Sequence, residues 1–566
     1  MKRFFERQQV GIAVAVFGVA ISLAGLGSLP AWAQAAHPLL GGPWGMVRLA
    51  SGAPLEGIGV RVISSRTAIR TTVYTNEDGR YEFPKLEPGT YTLHIARPRE
   101  FRPYHRDSVQ IAGSEHFEDI VLDRVVNSEY LPPTPEILAQ LTGWEWFSNL
   151  PGTGKEKRGF VLSCGFGCHN YQQIFKARYD EKSWRLIVRR MLRGAGSPLI
   201  NLREPRPGQT ARAGVDRIEE EETIIQWLSR IRGPQAQDPP MLPMPRPQGK
   251  DTRVIVTEYE LPRTLLAPHD VHGDSKGNIW YTPHRSPYVG KLDPKTGRVQ
   301  EYRLPDVPGV LPGTHRVWVD ERDMVYVSEN WRQNLAKLDP VTGEFQKFHF
   351  EGGTPNSPGF SNFAMDRDGF VYETLEDPNG KPAVVKINRD TGEIVQHFPF
   401  PGRISGTYDN LITPDGRYWM GGATGTNLVG VLDTRSGNIW ELETPTLVSS
   451  PARGGVDPDN NGWIGGRGGM LIKIDPRTRK ITEYYPPFQN ASFYEILPDK
   501  NGEIWAAPLH TGSFLRFNPR TGSWVNYWMP EPHSHNRRTW IDNSTNPVTV
   551  WYVDHDGFMV RVQPLD

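Results

Sequence analysis

The sequence predicts a multidomain, mainly β protein: a small β-sandwich, a small all-α unit and a seven-bladed β-propeller. Three observations predict it. Glycine and proline are abundant, 57 and 50 of 566 residues, and 11% of the chain is aromatic, a composition of short strands and tight turns. Helical periodicity is confined to the stretch between about 132 and 233. Beyond it, a turn of the form D-P-x-T-G recurs at a spacing of 42–49 residues, the length of one four-stranded propeller blade.

The chain opens MKRFFERQQVGIAVAVFGVAISLAGLGSLPAWAQA. A basic start, an apolar run and small residues at A-x-A spacing read as a secretory signal peptide over residues 1–35. No later segment is apolar enough to span a bilayer, so the mature chain is expected to be periplasmic and without a membrane span. Charge is balanced, 64 basic against 64 acidic residues, which argues against a nucleic-acid partner.

Residues 44–125 read as strand and turn. GMVRLASGAPLEGIGVRVISS alternates apolar and polar residues, and TTVYTNEDGRYEFPKLEPGTYTLHIARP follows with tight turns at Asn76–Gly79 and Glu87–Gly89. Tyr81, Phe83, Leu86, Tyr91 and Leu93 supply an inward face, making a small β-sandwich. The run T-N-x-D-G-x-Y-x-F-x-x-L-x-P-G-x-Y resembles the carboxypeptidase regulatory-like family. That resemblance implies a structural or docking module without catalysis.

Residues 132–233 change period. EKSWRLIVRRMLRG places Trp184, Ile187, Val188 and Met191 on one stripe, and IEEEETIIQWLSRIRG places Ile218, Ile225, Leu228 and Ile231 near one face. Ahead of both stands SCGFGCHN, with Cys164, Cys168 and His169; these are the chain's two cysteines. A disulfide between them is geometrically possible, and a zinc clip would lack a nearby fourth ligand. Covalent haem c explains both thiols and the histidine together, as two thioethers and an axial imidazole. The spacer holds Gly165, Phe166 and Gly167, one residue more than in C-x-x-C-H. The order of helices resembles the cytochrome c family, in particular small monohaem domains with a W-x-x-x-V-x-x-M helix. On that likeness His169 is the proximal iron ligand and Met191 the distal one. A Pro-rich run over 234–252 reads as an extended, stiff linker.

From 253 to 566 the D-P-x-T-G turns begin at Asp293, Asp339, Asn388, Asp433, Asp475 and Asn518, and elements such as G-N-I-W-Y and G-E-I-W mark the second strand of each blade. A seventh unit stops short of its last strand, and the opening VIVTEYELP is expected to complete it and remove the free edge. The repeat G-x-I-W-Y-T…V-G-K-L-D-P-x-T-G-x-x-x-E-Y-x-L-P resembles the streptogramin (virginiamycin B) lyase family. The family's chemistry uses a metal, histidines and glutamates near the axis. Its pattern, a histidine at a first strand and a glutamate fourteen residues later, falls here on His315 and Glu329, with His269 in the preceding blade. The glutamate position is Pro283 in that blade and Gly422, Gly466 and Pro508 in later ones.

These parts together predict an exported haem c protein whose propeller binds a small molecule at its channel, serving electron transfer or oxidation with a periplasmic redox partner. Two other readings stand beside it: a metal-dependent carbon–oxygen lyase with Mg2+, as the lyase resemblance implies, and a non-catalytic binding or scaffold protein.

Overall fold

The computed structural model describes residues 40–165, 169–194, 210–212, 215–263, 267–284, 286–306, 308, 313–329, 332–351, 360–554 and 556–566. The expected leader, 1–35, lies outside them. Among the described residues no helix is long and apolar enough to cross a membrane.

The chain is mainly β. Seven strands open the described chain: β1 (Gly41–Leu49), β2 (Gly59–Ser64), β3 (Arg70–Tyr74), β4 (Arg80–Pro84), β5 (Gly89–Ala96), β6 (His105–Ile111) and β7 (His116–Leu122). One sheet runs β4-β1-β7, and the other contains β3-β2-β5-β6. Alternation along the strands puts Val47, Val60, Val62, Tyr81, Phe83, Leu93 and Ile120 between them, each at most 1% exposed.

Strand β8 (Val254–Glu260) joins this sandwich to the propeller. One edge pairs with the last strand of the chain, Val256 opposite Val562; the other pairs with β3, Val256 opposite Thr72. The strand therefore completes the seventh blade, as its sequence predicts, and also continues that blade's sheet into the sandwich. Neither sheet keeps an open edge there. A buried ion pair, Arg61 to Glu258 at 2.8 Å, and a second from Arg61 to Glu531 at 2.6 Å, cross the joint.

Six helices follow the sandwich: α1 (Pro135–Leu138), α2 (Gly143–Asn149), α3 (Gly154–Cys164), α4 (Tyr171–Lys176), α5 (Glu181–Gly194) and α6 (Arg217–Ile231). Capping boxes start α2 and α3, Thr142 with Glu145 and Thr153 with Glu156. Phe147, Phe160, Phe175 and Trp227 form the centre of their core, all 0% exposed. The Pro-rich run after α6 is not a free tether. Met241 and Leu131 exchange backbone hydrogen bonds, and Met241 and Met244 are buried. Buried Glu145 gathers the junction: it accepts from Arg97 at 2.8 Å, from the Met244 N–H at 2.8 Å and from the Thr142 N–H at 2.7 Å. Burial pushes its carboxyl up, but Arg97, Arg99 and these donors outweigh burial and hold it below the ordinary range.

Seven antiparallel four-stranded units make the propeller. Their first strands begin at Pro268, Val317, Ala364, Leu411, Pro451, Phe493 and Asn536. First strands of neighbouring blades touch, the seventh touches the first, and blades two and three meet where Ser328 donates to the Ser361 carbonyl at 2.8 Å, so the ring closes. Each D-P-x-T-G-type turn joins a blade's third and fourth strands, as Asp293 to Arg298 does in blade one. A second repeated device sits between the first two strands. An aspartate accepts from an aromatic residue six positions on: Trp280 to Asp274 at 3.0 Å, Tyr372 to Asp366 at 3.1 Å, Trp463 to Asp457 at 2.9 Å and Trp505 to Asp499 at 3.0 Å. It ties the hairpin to the blade's core and aligns the first strand with the axis.

Candidate active site

Counting five residues back from the residue that ends or follows each blade's first strand (Asp274, Asp320, Asp366, Thr413, Asp457, Asp499 and Asp542) gives one residue in or just before each first strand: His269, His315, Ser361, Tyr408, Ala452, Tyr494 and Arg537. The next residue in each is Asp270, Arg316, Asn362, Asp409, Arg453, Glu495 and Arg538. Thirteen of these fourteen residues are buried, and Tyr408 is half-buried. Blade geometry thus brings two rings of side chains, one position apart, to the axis.

The second ring is cross-linked by charge. Arg316 binds Asp409 at 2.8 Å; Arg538 reaches Glu495 at 2.9 Å, Asp270 at 3.2 Å and Asp409 at 3.4 Å; Arg453 lies 3.7 Å from Asp270. Burial raises Glu495 to about 7 against the pull of Arg538, and burial, with the charge of Arg538, lowers Arg316 to about 10. Ion pairs this deep are held by mutual compensation, since removing one member strands its partners.

The first ring carries the chemistry. His269 and His315 have ring centroids 4.0 Å apart. His284, just after the second strand of blade one, joins them at 5.0 and 5.2 Å. One nitrogen of each of the three lies within 4.8 Å of the others. His269 Nδ1 is 2.5 Å from Asp270 Oδ1, and its Nε2 is 3.1 Å from the Tyr494 hydroxyl, which is 2.7 Å from that of Tyr408. His315 Nδ1 is 3.1 Å from the Ser361 carbonyl, and Arg453 Nη2 is 3.1 Å from His315 Nε2. Burial, reinforced by neighbouring arginines and histidines, holds both imidazoles well below their ordinary pKa and hence neutral at pH 7. The guanidiniums of Arg453 and Arg467 stand 5.0 and 4.9 Å from the Tyr408 ring centroid. Burial alone would raise that phenol, but the two cations outweigh it and lower it. Neutral imidazoles, an acidified phenol and arginines can together bind an anion and pass a proton.

Glu329 takes no part in this group. It is 1% exposed, and its carboxylate is engaged by Arg332 at 2.9 Å, Asn334 at 3.0 Å and Lys347 at 3.1 Å, within its own blade. The expected pairing of His315 with Glu329 is replaced by His315 with His269 and His284. The end of a blade's second strand turns toward the third strand here, where Asn334 is its direct partner. Tyr408, Arg453, Tyr494 and Arg538 escape a search for histidine–glutamate pairs. Their signal is positional: they stand where His269, Asp270 and His315 stand in other blades.

Of the haem residues, Cys164 ends α3, and Cys168 lies outside the described residues. His169 is half-buried, its Nδ1 3.3 Å from the Asn170 carbonyl. Met191 is 44% exposed on α5, while Trp184 and Val188 of the same stripe fill the core. The segment docks on the propeller. Ser492 Oγ donates to the Gly165 carbonyl at 3.4 Å, Asn170 Nδ2 to Asp556 at 3.5 Å, and the Trp144 N–H to the His510 carbonyl at 2.8 Å. Tyr171 stacks on His510 at 3.6 Å. His510 is 2% exposed, and neither ring nitrogen has a hydrogen-bond partner among the described residues. Burial and the charge of His169 push it down to about 3. His169 and His510, the latter with no hydrogen bond on its ring nitrogens among the described residues, are imidazoles of the type that ligate haem iron.

Fold and site together define a β-propeller protein with a histidine- and arginine-lined axis and a sandwich sharing one of its sheets. Residues 44–122 match the carboxypeptidase regulatory-like domain family. No curated protein sequence matches the chain. Among solved structures, a catalytically inactive virginiamycin B lyase from Staphylococcus aureus with quinupristin is similar at 18% identity and a TM-score of 0.47, covering 55% of this chain and 99% of that one. A streptogramin B lyase is similar at 19% identity and a TM-score of 0.48, covering 56% and 100%. A mitotic checkpoint complex chain is similar at 10% identity and 0.44, covering 55% and 91%.

Proposed function

We propose that this is an exported haem c protein of the periplasm whose propeller face binds a small anionic molecule for oxidation or electron transfer. Cys164, Cys168 and His169 would hold the haem, and His510 of the propeller would offer a second imidazole to it. When bound, that haem would supply single-electron chemistry. Arg453 and Arg467 would attract the anion, the Tyr408 and Tyr494 hydroxyls would hydrogen-bond it, and Asp270 would fix the His269 ring.

One contact supports this reading above all. Ser492 touches Gly165 in the cysteine-bearing segment, and Tyr494, two residues along the same chain stretch, touches His269. Two residues of extended chain span about 7 Å. The segment and the three histidines therefore share one face of the propeller. The lyase reading is less well served, because the one carboxylate it needs, Glu329, is committed to Arg332 and Lys347.

The test is an absorption spectrum with a pyridine haemochrome assay on protein exported from cells competent to mature cytochromes. A c-type band that survives acid–acetone extraction is expected, and Cys164→Ser and Cys168→Ser should each abolish double thioether attachment. Full covalent haem in both variants, or no haem in the parent, would overturn it. His510→Ala should retain the covalent haem but move its spectrum to a high-spin form.

A further inference from the structure

His269, His284 and His315 come from three separate stretches of two blades, yet one ring nitrogen of each lies within 4.8 Å of the others. Two of the rings are already oriented. His269 Nδ1 is 2.5 Å from the Asp270 carboxylate, and His315 Nδ1 is 3.1 Å from the Ser361 carbonyl. Both partners accept only, so in both rings Nδ1 carries the proton and Nε2 keeps its lone pair. A carboxylate or a backbone carbonyl on the far nitrogen is the arrangement that orients metal-binding histidines and raises their basicity.

We propose that His269, His284 and His315 form a site for one first-row divalent transition metal of the zinc or copper type. Imidazole suits these ions, whereas Mg2+ asks for oxygen donors. Among the described residues no carboxylate joins the three nitrogens as a ligand. Three histidines leave a fourth position open for water or an anionic ligand, as in catalytic zinc sites. In the metal-free arrangement Arg453 Nη2, 3.1 Å from His315 Nε2, occupies that lone pair, and the Tyr494 hydroxyl, 3.1 Å from His269 Nε2, turns toward the other. A metal displaces both, and Asp270, 3.7 Å from Arg453 Nη1, is there to receive the guanidinium. The site does not depend on the haem reading, and it needs no residue of the CGFGCHN segment.

The full-length protein, stripped with a chelator, is equilibrated with Zn2+ and the bound zinc counted per chain. One tightly held equivalent is expected, with no competition from millimolar Mg2+. His284→Gln and His315→Gln should each weaken zinc at least about 100-fold, beyond the 10–100-fold cost of losing an outer partner, while His116→Gln on the sandwich surface changes nothing. Unaltered zinc uptake in both site variants, or none in the parent, overturns the proposal. Should a variant fail to fold, Cu2+ bound to the parent protein decides: its electron paramagnetic resonance must show coupling to imidazole nitrogens, and a signal without it overturns the site. Covalent haem, read in the same samples, reports on the haem reading separately.

Discussion

Blades one and two and blades four and five are built on one pattern but differ at the axis. In the first pair the inner positions hold His269, His284 and His315. In the second pair the equivalent positions hold Tyr408, Ala423, Ala452 and Arg467, and the strands beside them carry glycine at Gly421, Gly422, Gly454, Gly465 and Gly466. The glycines answer to space. A Cβ on Gly454 would lie 1.7 Å from the Trp463 carbonyl oxygen, one on Gly422 2.7 Å from Pro451 Cβ, and one on Gly466 2.5 Å from Met470 Sδ. Those strands leave no room for a Cβ beside the Trp463 backbone or the Pro451 and Met470 side chains, and from among them Arg453 reaches His315 at 3.1 Å. The difference teaches that close packing on one half positions the chemistry on the other.

The sharpest way to break this is to remove the charge that joins the halves. Arg538 is the shared partner of Asp270, Asp409 and Glu495. Arg538→Met leaves three buried carboxylates undercompensated and should cost about 3–5 kcal/mol, measured by denaturant unfolding. A loss below about 1 kcal/mol would mean that the second ring does not hold the axis together.

The next effect is pH-dependent and separates the docked helical segment from the blades. In the protein without haem, His510 faces Tyr171, His169 and His535 and is held neutral down to about 3, against an ordinary value near 6.5. The unfolded chain takes up that proton below pH 6.5, and the folded chain does not until far lower. The stabilisation is therefore complete above pH 6.5 and lost as pH falls toward 3, about 2 kcal/mol by pH 5. In His510→Phe, which keeps the stack on Tyr171, stability should fall less steeply between pH 6.5 and 5. Parallel pH profiles for parent and variant would count against it.

Gly454→Ala comes third. The added methyl has to push the blade-five hairpin apart, at a cost of about 1–3 kcal/mol, and it should also weaken zinc uptake by moving Arg453. Destabilisation without any effect on the histidines would show that the two halves are packed independently.

Much of the propeller was legible because a repeat states it many times: the D-P-x-T-G turns, the aromatic second strands and the closing strand are all found where the sequence predicts. β8 pairing with β3 was not, because pairing across units leaves no local pattern in either strand. The sandwich was legible from its turns, but α1, α2 and α4 are too short to show a helical period. At the site, His269 and His315 were legible from the lyase-like pattern. Glu329 misled, since its sequence position says nothing of Lys347, whose ammonium takes the carboxylate. Arg453 and Tyr494 act on histidines in other blades, and only counting back from the residue that ends or follows each first strand, an aspartate in six blades and Thr413 in the fourth, brings them into one ring.

The smallest effect tests whether the two halves share a scaffold at all. Trp463 in blade five donates to Asp457 at 2.9 Å, and Trp280 in blade one donates to Asp274 at 3.0 Å. Both indoles are at most 1% exposed, and both aspartates keep a second side-chain donor, Asn461 and Asn278 respectively. Replacing either tryptophan by phenylalanine removes one hydrogen bond, leaves the aspartate paired and keeps most of the ring in place, so each should cost about 1 kcal/mol. Equal costs, with zinc uptake unchanged in both, would locate the difference between the halves wholly in the residues at the axis. A clearly larger cost for Trp280→Phe would mean that gathering three histidines strains blade one, and that its aspartate–tryptophan clasp carries that load.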